Sequence, residues 1–215
     1  MIFTLPTIAL PSALTAALVL TATLALTSCG ASSDPSGHGM PGMTGTMTST
    51  PAAGAKTAAD IDFAKGMIPH HAQAVEMAGL ALTKATDAKV KALATRVEAA
   101  QGPEIKQMSG WLKAWKVPIP ATTGGQHLSG MPNMGGMSGM MSAKEMADLG
   151  TATGSAFDRR WLQMMVRHHQ GAVAMARTAV AQQPNPESKK LAQSIIASQT
   201  AQIAELSSVL AGLPG

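Results

Sequence analysis

A short motif, Met-x-x-His-His, occurs twice in this chain of 215 residues, at 67–71 and again at 165–169, which is a spacing of 98 residues. The residues around the motif repeat with the same spacing and without a gap, as in the pairs Asp60 and Asp158, Leu93 and Leu191, and Ile105 and Ile203. Such a repeat indicates two copies of one supersecondary unit, neither of which buries its apolar face alone. The chain is therefore expected to fold by packing the two copies against each other.

Both copies have the apolar spacing of helices. One helical stripe between 60 and 78 leaves Lys65, Gln73 and Glu76 outside it. The stripe consists of Asp60, Phe63, Met67, His70, His71, Ala74, Met77 and Ala78. Long helices are predicted at about 60–84, 87–116, 154–181 and 186–210, and a capping box at 142–145 opens a short helix. Pro69 predicts that the first helix starts close to it or kinks there. We expect an all-α four-helix bundle built from a duplicated helical hairpin, with the four motif histidines facing one core.

The N-terminal residues are typical of an exported protein. Residues 1–28 resemble a lipoprotein signal peptide, because an apolar run ends in small residues just before Cys29, the predicted site of lipidation. A transmembrane anchor is the alternative. Residues 29–59 are expected to form a flexible tether rich in Met, Gly and Ser, followed by a domain at 60–212 that consists of a hairpin at 60–116, a Met-rich linker at 117–141 and a hairpin at 142–212. This order predicts an extracytoplasmic protein, lipid-anchored to the cell membrane on its periplasmic or outer face.

Methionine is concentrated in the tether and the linker, where no core is predicted for it to fill. The residues concerned, with one neighbouring histidine, are Met40, Met43, Met47, His127, Met131, Met134, Met137, Met140 and Met141. Thioethers are soft ligands, so a flexible segment that carries several of them suits Cu(I) or Ag(I). The alternative is compositional bias in a low-complexity segment.

The repeated motif offers a second set of candidate ligands, on the helices themselves. These are His70, His71, His168 and His169, with the methionines at matching positions, Met67, Met77, Met165 and Met175. Imidazole together with thioether favours copper. Asp60, Asp158 and Glu104 are further candidates, either as ligands or as acceptors that orient an imidazole. The alternatives are buried structural histidines, helix-start carboxylates at 60 and 158, and a solvent-facing Glu104.

The two histidine stretches, 63–78 and 161–176, together with Gln101-x-x-Glu104-Ile105 and the tryptophans at 111 and 115, resemble the bacterial family called domain of unknown function 305. The resemblance covers about 60–212 and implies a fold like the ferritin-like four-helix bundles. Some members of that family are exported copper-binding proteins, so the resemblance implies a copper-binding role for the Met and His positions. The chain departs from symmetry at Glu104, whose counterpart in the second copy is Gln202.

The function predicted from the sequence is a membrane-tethered, extracytoplasmic protein that binds Cu(I), Cu(II) or both, with Ag(I) as a surrogate, and sequesters, buffers or hands on copper to a trafficking partner. Protonation of imidazole near pH 6.5 should weaken the core site, whereas thioether binding should persist in acid. The alternatives are a redox-active metalloenzyme and a structural helical module of the envelope. No enzyme is predicted, because no substrate pocket is visible in the sequence and the Glu-x-x-His pairs of di-iron bundles are missing. A net charge of +4 with few aromatic residues also argues against nucleic-acid binding.

Overall fold

The computed structural model describes residues 56–122, 138–182 and 185–214. The helices in these ranges are α1 (Ala58–Lys84), α2 (Ala88–Ala114), α3 (Ala143–Thr151), α4 (Gly154–Gln182) and α5 (Pro186–Gly212). The predicted signal peptide, Cys29, almost all of the tether and the candidates Met40, Met43, Met47, His127, Met131, Met134 and Met137 lie outside the described residues. Within the ranges described, no helix is both long enough and apolar enough to cross a membrane.

The helix starts follow the capping signals in the sequence. The Ser142 side chain accepts from the backbone N–H of Glu145, and the Glu145 carboxylate accepts from the Ser142 backbone, which confirms the predicted capping box. Asn185 caps α5, with Pro186 at its first position. These side chains satisfy backbone N–H groups that have no partner inside the helix, so each helix begins at a defined residue.

Of the two alternatives predicted at Pro69, the structure excludes a helix start. The helix begins at Ala58 and continues through the proline, so it does not start there. A capping box between Thr57 and Asp60 fixes the earlier start. Pro69 lies buried inside the helix, where burial of the flanking apolar stripe offsets the backbone hydrogen bond that proline cannot donate.

The bundle consists of two hairpins that meet through their histidine helices. Helix α1 packs on α2 and α4 on α5, while α1 and α4 pack against each other and α2 and α5 make only a small contact. The short helix α3 packs on α4. This arrangement confirms the prediction of an all-α four-helix bundle built from a duplicated hairpin.

Two apolar clusters fill the core, and the sequence repeat relates one to the other. The first cluster contains Ala74, Met77, Trp161 and Met165, and the second contains Phe63, Met67, Ala172 and Ala176. Each cluster thus joins the start of one histidine helix to the end of the other, so α1 and α4 run antiparallel. The repeat is therefore expressed in the fold as a pseudo-twofold axis that passes between the two helices.

The buried carboxylates Asp60 and Asp158 stabilise helix starts, although they do so differently. Asp60 accepts hydrogen bonds from Thr57 just before its own helix. Asp158 reaches from α4 to the turn between α1 and α2, where its oxygens accept from the backbone N–H groups of Thr86 and Asp87 at 2.9 to 3.2 Å. This geometry agrees with the interpretation of both residues as helix-start carboxylates. Neither makes a hydrogen bond to an imidazole among the described residues.

Candidate metal centre

The four motif histidines form a polar layer between the two apolar clusters. His70 and His71 lie in α1, at the centre of its buried stripe, and His168 and His169 occupy the matching positions of α4. All four side chains are 0% exposed. The rings of His70 and His168 meet at the pseudo-twofold axis, with their centroids 3.9 Å apart. The antiparallel packing of α1 and α4 thus brings the two motifs to one point in the core.

The two outer histidines are held by matching residues of α2 and α5. The Nε2 of His71 lies 2.7 Å from Glu104 Oε2, and the Nε2 of His169 lies 2.7 Å from Gln202 Oε1. Because a carboxylate and an amide oxygen only accept hydrogen bonds, each imidazole carries its proton on Nε2. In a neutral ring, a proton on Nε2 leaves the lone pair on Nδ1. Such an acceptor behind the ring is what orients histidine ligands in metal sites.

His70 is held in the same tautomer by a backbone group. Its Nε2 donates to the carbonyl of Ser138 over 3.3 Å. Ser138 belongs to a short stretch, residues 138–141, that we call the crossing segment because it contacts both α1 and α4. The sequence placed this segment in the Met-rich linker, but Met141 is 4% exposed and packs in the first apolar cluster.

The imidazoles of His70, His168 and His169 are held neutral by their burial. Burial, helped by the charge that a protonated His71 would carry, lowers the pKa of His70 to about 3. Burial also lowers the pKa of His169 to about 4, against the opposing hydrogen bond from Gln202, and lowers that of His168 well below its ordinary value. Neutral imidazole is the form that binds metal ions, so the lone pairs of these rings are available near pH 7.

Several buried nitrogen and oxygen atoms of this layer have no hydrogen-bond partner. They comprise Nδ1 of all four histidines, Nε2 of His168, and both side-chain amide atoms of Gln101 and Gln199. Gln101 and Gln199 are repeat counterparts, 1% and 2% exposed, and each lies one turn before the residue that holds an outer histidine. Buried polar atoms normally have hydrogen-bond partners. The many unpaired atoms of this layer therefore lower the stability of the folded protein.

Replacement of Gln101 and Gln199 by leucine is expected to stabilise the metal-free protein. Each change removes two buried polar atoms that lack partners and keeps the side-chain volume, which should raise the free energy of unfolding by about 1 kcal/mol or more per site. Urea denaturation of each variant measures the gain. Gln107→Leu is the matched control, because Gln107 lies exposed on the same helix. A loss of stability in the buried variants would show that their amides have partners after all.

The candidate methionines are not all placed alike. Met67, Met77 and Met165 are 0% exposed within the apolar clusters. Met175 is partly buried and lines a surface cavity of about 240 Å³ together with Asp62, Phe63 and Gln182. Met67 and Met165 lie about one helical turn before His70 and His168, on the same face of their helices.

No three His, Cys, Asp or Glu side chains of the described ranges are arranged to hold a metal ion. The imidazole layer supplies a pair of rings in contact, with the other two histidines held towards α2 and α5. An ion bound to this pair would need further ligands. These could be a Met sulfur or side chains that move towards the ion.

Sequence reasoning missed the part that Gln73 has near this site. Its position outside the helical stripe predicted an exposed side chain, but Gln73 is 4% exposed because the crossing segment covers it. Its amide donates to the Met141 carbonyl over 2.8 Å and accepts from the Met141 N–H over 2.7 Å. The one available signal was the break in the repeat, since the counterpart of Gln73 in the second copy is Gly171.

The fold and the polar layer define the class of protein: a duplicated helical hairpin, closed into a four-helix bundle, with buried neutral imidazoles on its pseudo-twofold axis. The model of the family described as domain of unknown function (DUF305) matches residues 60–210, and the chain belongs to this family. Among curated proteins, none matches the chain.

Solved structures of related proteins agree with this membership. A DUF305 protein from Streptomyces coelicolor, described as secreted, is 33% identical, covers 72% of this chain and 93% of its own, and superposes with a TM-score of 0.63. A DUF305 fragment from Deinococcus radiodurans is 32% identical over 73% of this chain and 98% of its own, also with a TM-score of 0.63. The protein CopM in its Cu(II)-bound form is 35% identical over 71% of this chain and 96% of its own, with a TM-score of 0.60. CopM structures with Cu(I) and with Ag bound are also similar to this chain.

Proposed function

We propose that this protein binds copper through its central imidazole layer and acts outside the cytoplasm as a copper-sequestering or copper-buffering protein. The observation that carries the proposal is the set of four fully buried histidines whose Nδ1 atoms have no partner. Similarity to CopM, which is known in Cu(II)-bound and Cu(I)-bound forms, supports copper as the ion. The ion is cargo rather than a fixed part of the fold.

The proposed ligands are His70, His71, His168 and His169, with Met67 and Met165 as the nearest thioethers. An ion bound between two imidazole nitrogens needs about 2 Å to each, and so about 4 Å between them. The ring centroids of His70 and His168 are 3.9 Å apart at an interplanar angle of 43°, and we propose that the rings rotate apart to direct their nitrogens at one ion. Neutral nitrogen and sulfur donors suit Cu(I) and Ag(I), and imidazole also suits Cu(II).

Met77 and Met175, as well as the methionines of the tether and linker, are proposed as additional soft donors that capture Cu(I). Asp60 and Asp158 are not proposed as ligands, because helix starts already use their oxygens. Glu104 is proposed to orient His71 rather than to bind the ion, since its Oε2 lies 2.7 Å from Nε2 of that ring.

Location and anchoring are part of the same proposal. The leader-like residues 1–28 and the lipobox at Cys29 favour a lipid anchor outside the cytoplasm, and the description of the Streptomyces coelicolor relative as secreted supports export. A binding role without catalysis is proposed because the imidazole layer is closed to solvent and offers a substrate no access. A partner that donates or receives copper would fit this role.

Titration of the purified 30–215 fragment with Cu(I) and Cu(II), against a chelator of known affinity at pH 7.5, tests the proposal. We expect at least one ion to bind with an affinity that removes it from the chelator. Failure of the folded protein to compete for either oxidation state would refute the proposed function.

Variants at Glu104 distinguish two roles of its carboxylate: orientation of the His71 ring and supply of a negative charge. Glu104→Leu should weaken copper binding about 10- to 100-fold, because it removes the acceptor that fixes His71. Glu104→Gln should have a much smaller effect, since Gln202 already performs this task for His169 with an amide oxygen. The same competition titration gives both values. Equal losses in the two variants would indicate that the carboxylate itself binds the ion.

A further inference from the structure

The crossing segment, residues 138–141, covers the central histidine pair on one side of the bundle. The carbonyl of Ser138 accepts from Nε2 of His70, and Gly139 packs against the backbone of α4 near Arg167 and His168. All four histidines are 0% exposed, so an ion cannot reach them while every covering group stays in place. His70 is the one member of the layer that is bonded to the crossing segment.

Arg167 of α4 donates to the Met141 sulfur of the crossing segment over 2.8 Å. Besides this bond and that of His70, two residues hold the segment in position, one on each histidine helix. On α1, the amide of Gln73 makes paired hydrogen bonds to the N–H and C=O of Met141, at 2.7 and 2.8 Å. On α4, Gly171 provides the space, because a Cβ there would lie 1.8 Å from the Ser138 oxygen. Gly139, with φ of +84°, turns the chain at this point in a conformation that favours glycine.

These two holding residues are counterparts in the sequence repeat, which explains why the repeat breaks there. Adding 98 to 73 gives 171, so Gln73 and Gly171 lie on opposite sides of the pseudo-twofold axis. A single segment that crosses the axis cannot meet the same residue on both sides. Gln73 in the first copy of the repeat therefore binds the crossing segment through its side chain, whereas Gly171 in the second copy has no side chain.

We propose that Gln73 is a positioning residue of the copper site, and that release of the crossing segment from Gln73 is the step that admits copper to His70 and His168. The inference rests on the proposed function. The rings of His70 and His168 must separate to accept an ion, and rotation of His70 breaks its bond to Ser138. Binding of the ion and displacement of the crossing segment are thereby coupled through one imidazole.

The test measures the rate of Cu(II) uptake by the full-length protein in detergent, using quenching of tryptophan fluorescence in a stopped-flow instrument. Gln73→Leu should take up Cu(II) about tenfold faster or more. The variant loses the two hydrogen bonds to Met141, and bonds of ordinary strength shift the equilibrium for release of the crossing segment by this factor. The number of ions bound at equilibrium should not change. Gln170→Leu is the matched control, because Gln170 lies exposed on α4 next to the motif and contacts no part of the segment in the hydrogen-bond network.

A second measurement distinguishes a positioning role of Gln73 from a general loss of stability of the fold. Nitrogen-15 NMR of the histidine rings should show that Gln73→Leu disturbs the Nε2–H tautomer of His70 and leaves that of His169 unchanged. If Gln73→Leu does not fold, Gln73→Glu, which keeps the acceptor for the Met141 N–H, should give a smaller acceleration. Uptake at the wild-type rate with normal stoichiometry would overturn this inference alone. No binding by the wild-type protein would instead overturn the proposed function.

Discussion

Replacement of both His70 and His168 by leucine should weaken copper binding by more than about 100-fold, beyond the loss usual for a residue that only supports a ligand. The two rings form the centre of the imidazole layer, with centroids 3.9 Å apart, so no other pair can replace them. The metal-free protein should at the same time become more stable, by about 1 to 3 kcal/mol, because buried nitrogens without partners are replaced by apolar atoms. Competition titration and urea denaturation measure the two effects.

The opposite signs of these effects distinguish a binding site from structural histidines. Gln163→Leu, at an exposed position of α4, is the control for a similar change outside the layer and should leave copper binding intact. If the double histidine variant bound copper as tightly as the wild-type protein and was less stable, the histidines would be core residues, and other donors would have to hold the metal.

The metal-free protein is expected to lose stability steeply as the pH falls below about 6.5. In the unfolded chain histidine has a pKa of about 6.5, whereas burial lowers the pKa of His70 to about 3 and that of His169 to about 4. Between these limits the unfolded state binds more protons, so stability is fully present above about pH 6.5 and is lost as the pH falls to 3 or 4. From pH 7.5 to 5 the loss should be about 2 kcal/mol for each of the two residues.

Urea denaturation of the metal-free protein at several pH values measures this slope. Replacement of His70 and His169 by leucine should make the slope shallower, because two of the groups that take up protons on unfolding are then gone, while His168 remains. A wild-type stability that does not change between pH 7.5 and 5 would contradict neutral burial of these rings.

The fold could be predicted from sequence because its determinants are local or repeated. The 98-residue repeat requires two equivalent hairpins, and helical periodicity identifies their buried faces. Capping residues such as Ser142 and Asn185 act within one turn, so they mark helix starts without knowledge of the tertiary structure. Whether α1 starts at Pro69 or continues through it could not be decided locally. Burial of the helix around it is a tertiary effect that no local rule contains.

The site could be predicted only in part, because some of its side chains contact the backbone of residues that are distant in the sequence. The four histidines share a helical face, and their meeting follows from the packing of α1 on α4. Gln73, in contrast, is buried by a segment 68 residues away, which is not visible in the periodicity of its own helix. Likewise, the lowered pKa of His70 depends on complete burial, which spacing along the chain does not reveal.

A crystal structure of the protein soaked with Ag(I), with anomalous scattering used to locate the ion, tests the central claim most directly. The account predicts an ion in the imidazole layer, about 2 Å from a nitrogen of His70 and of His168, with the two rings rotated apart. Silver bound only to methionines at the surface, with the His70 and His168 rings still in contact, would contradict it.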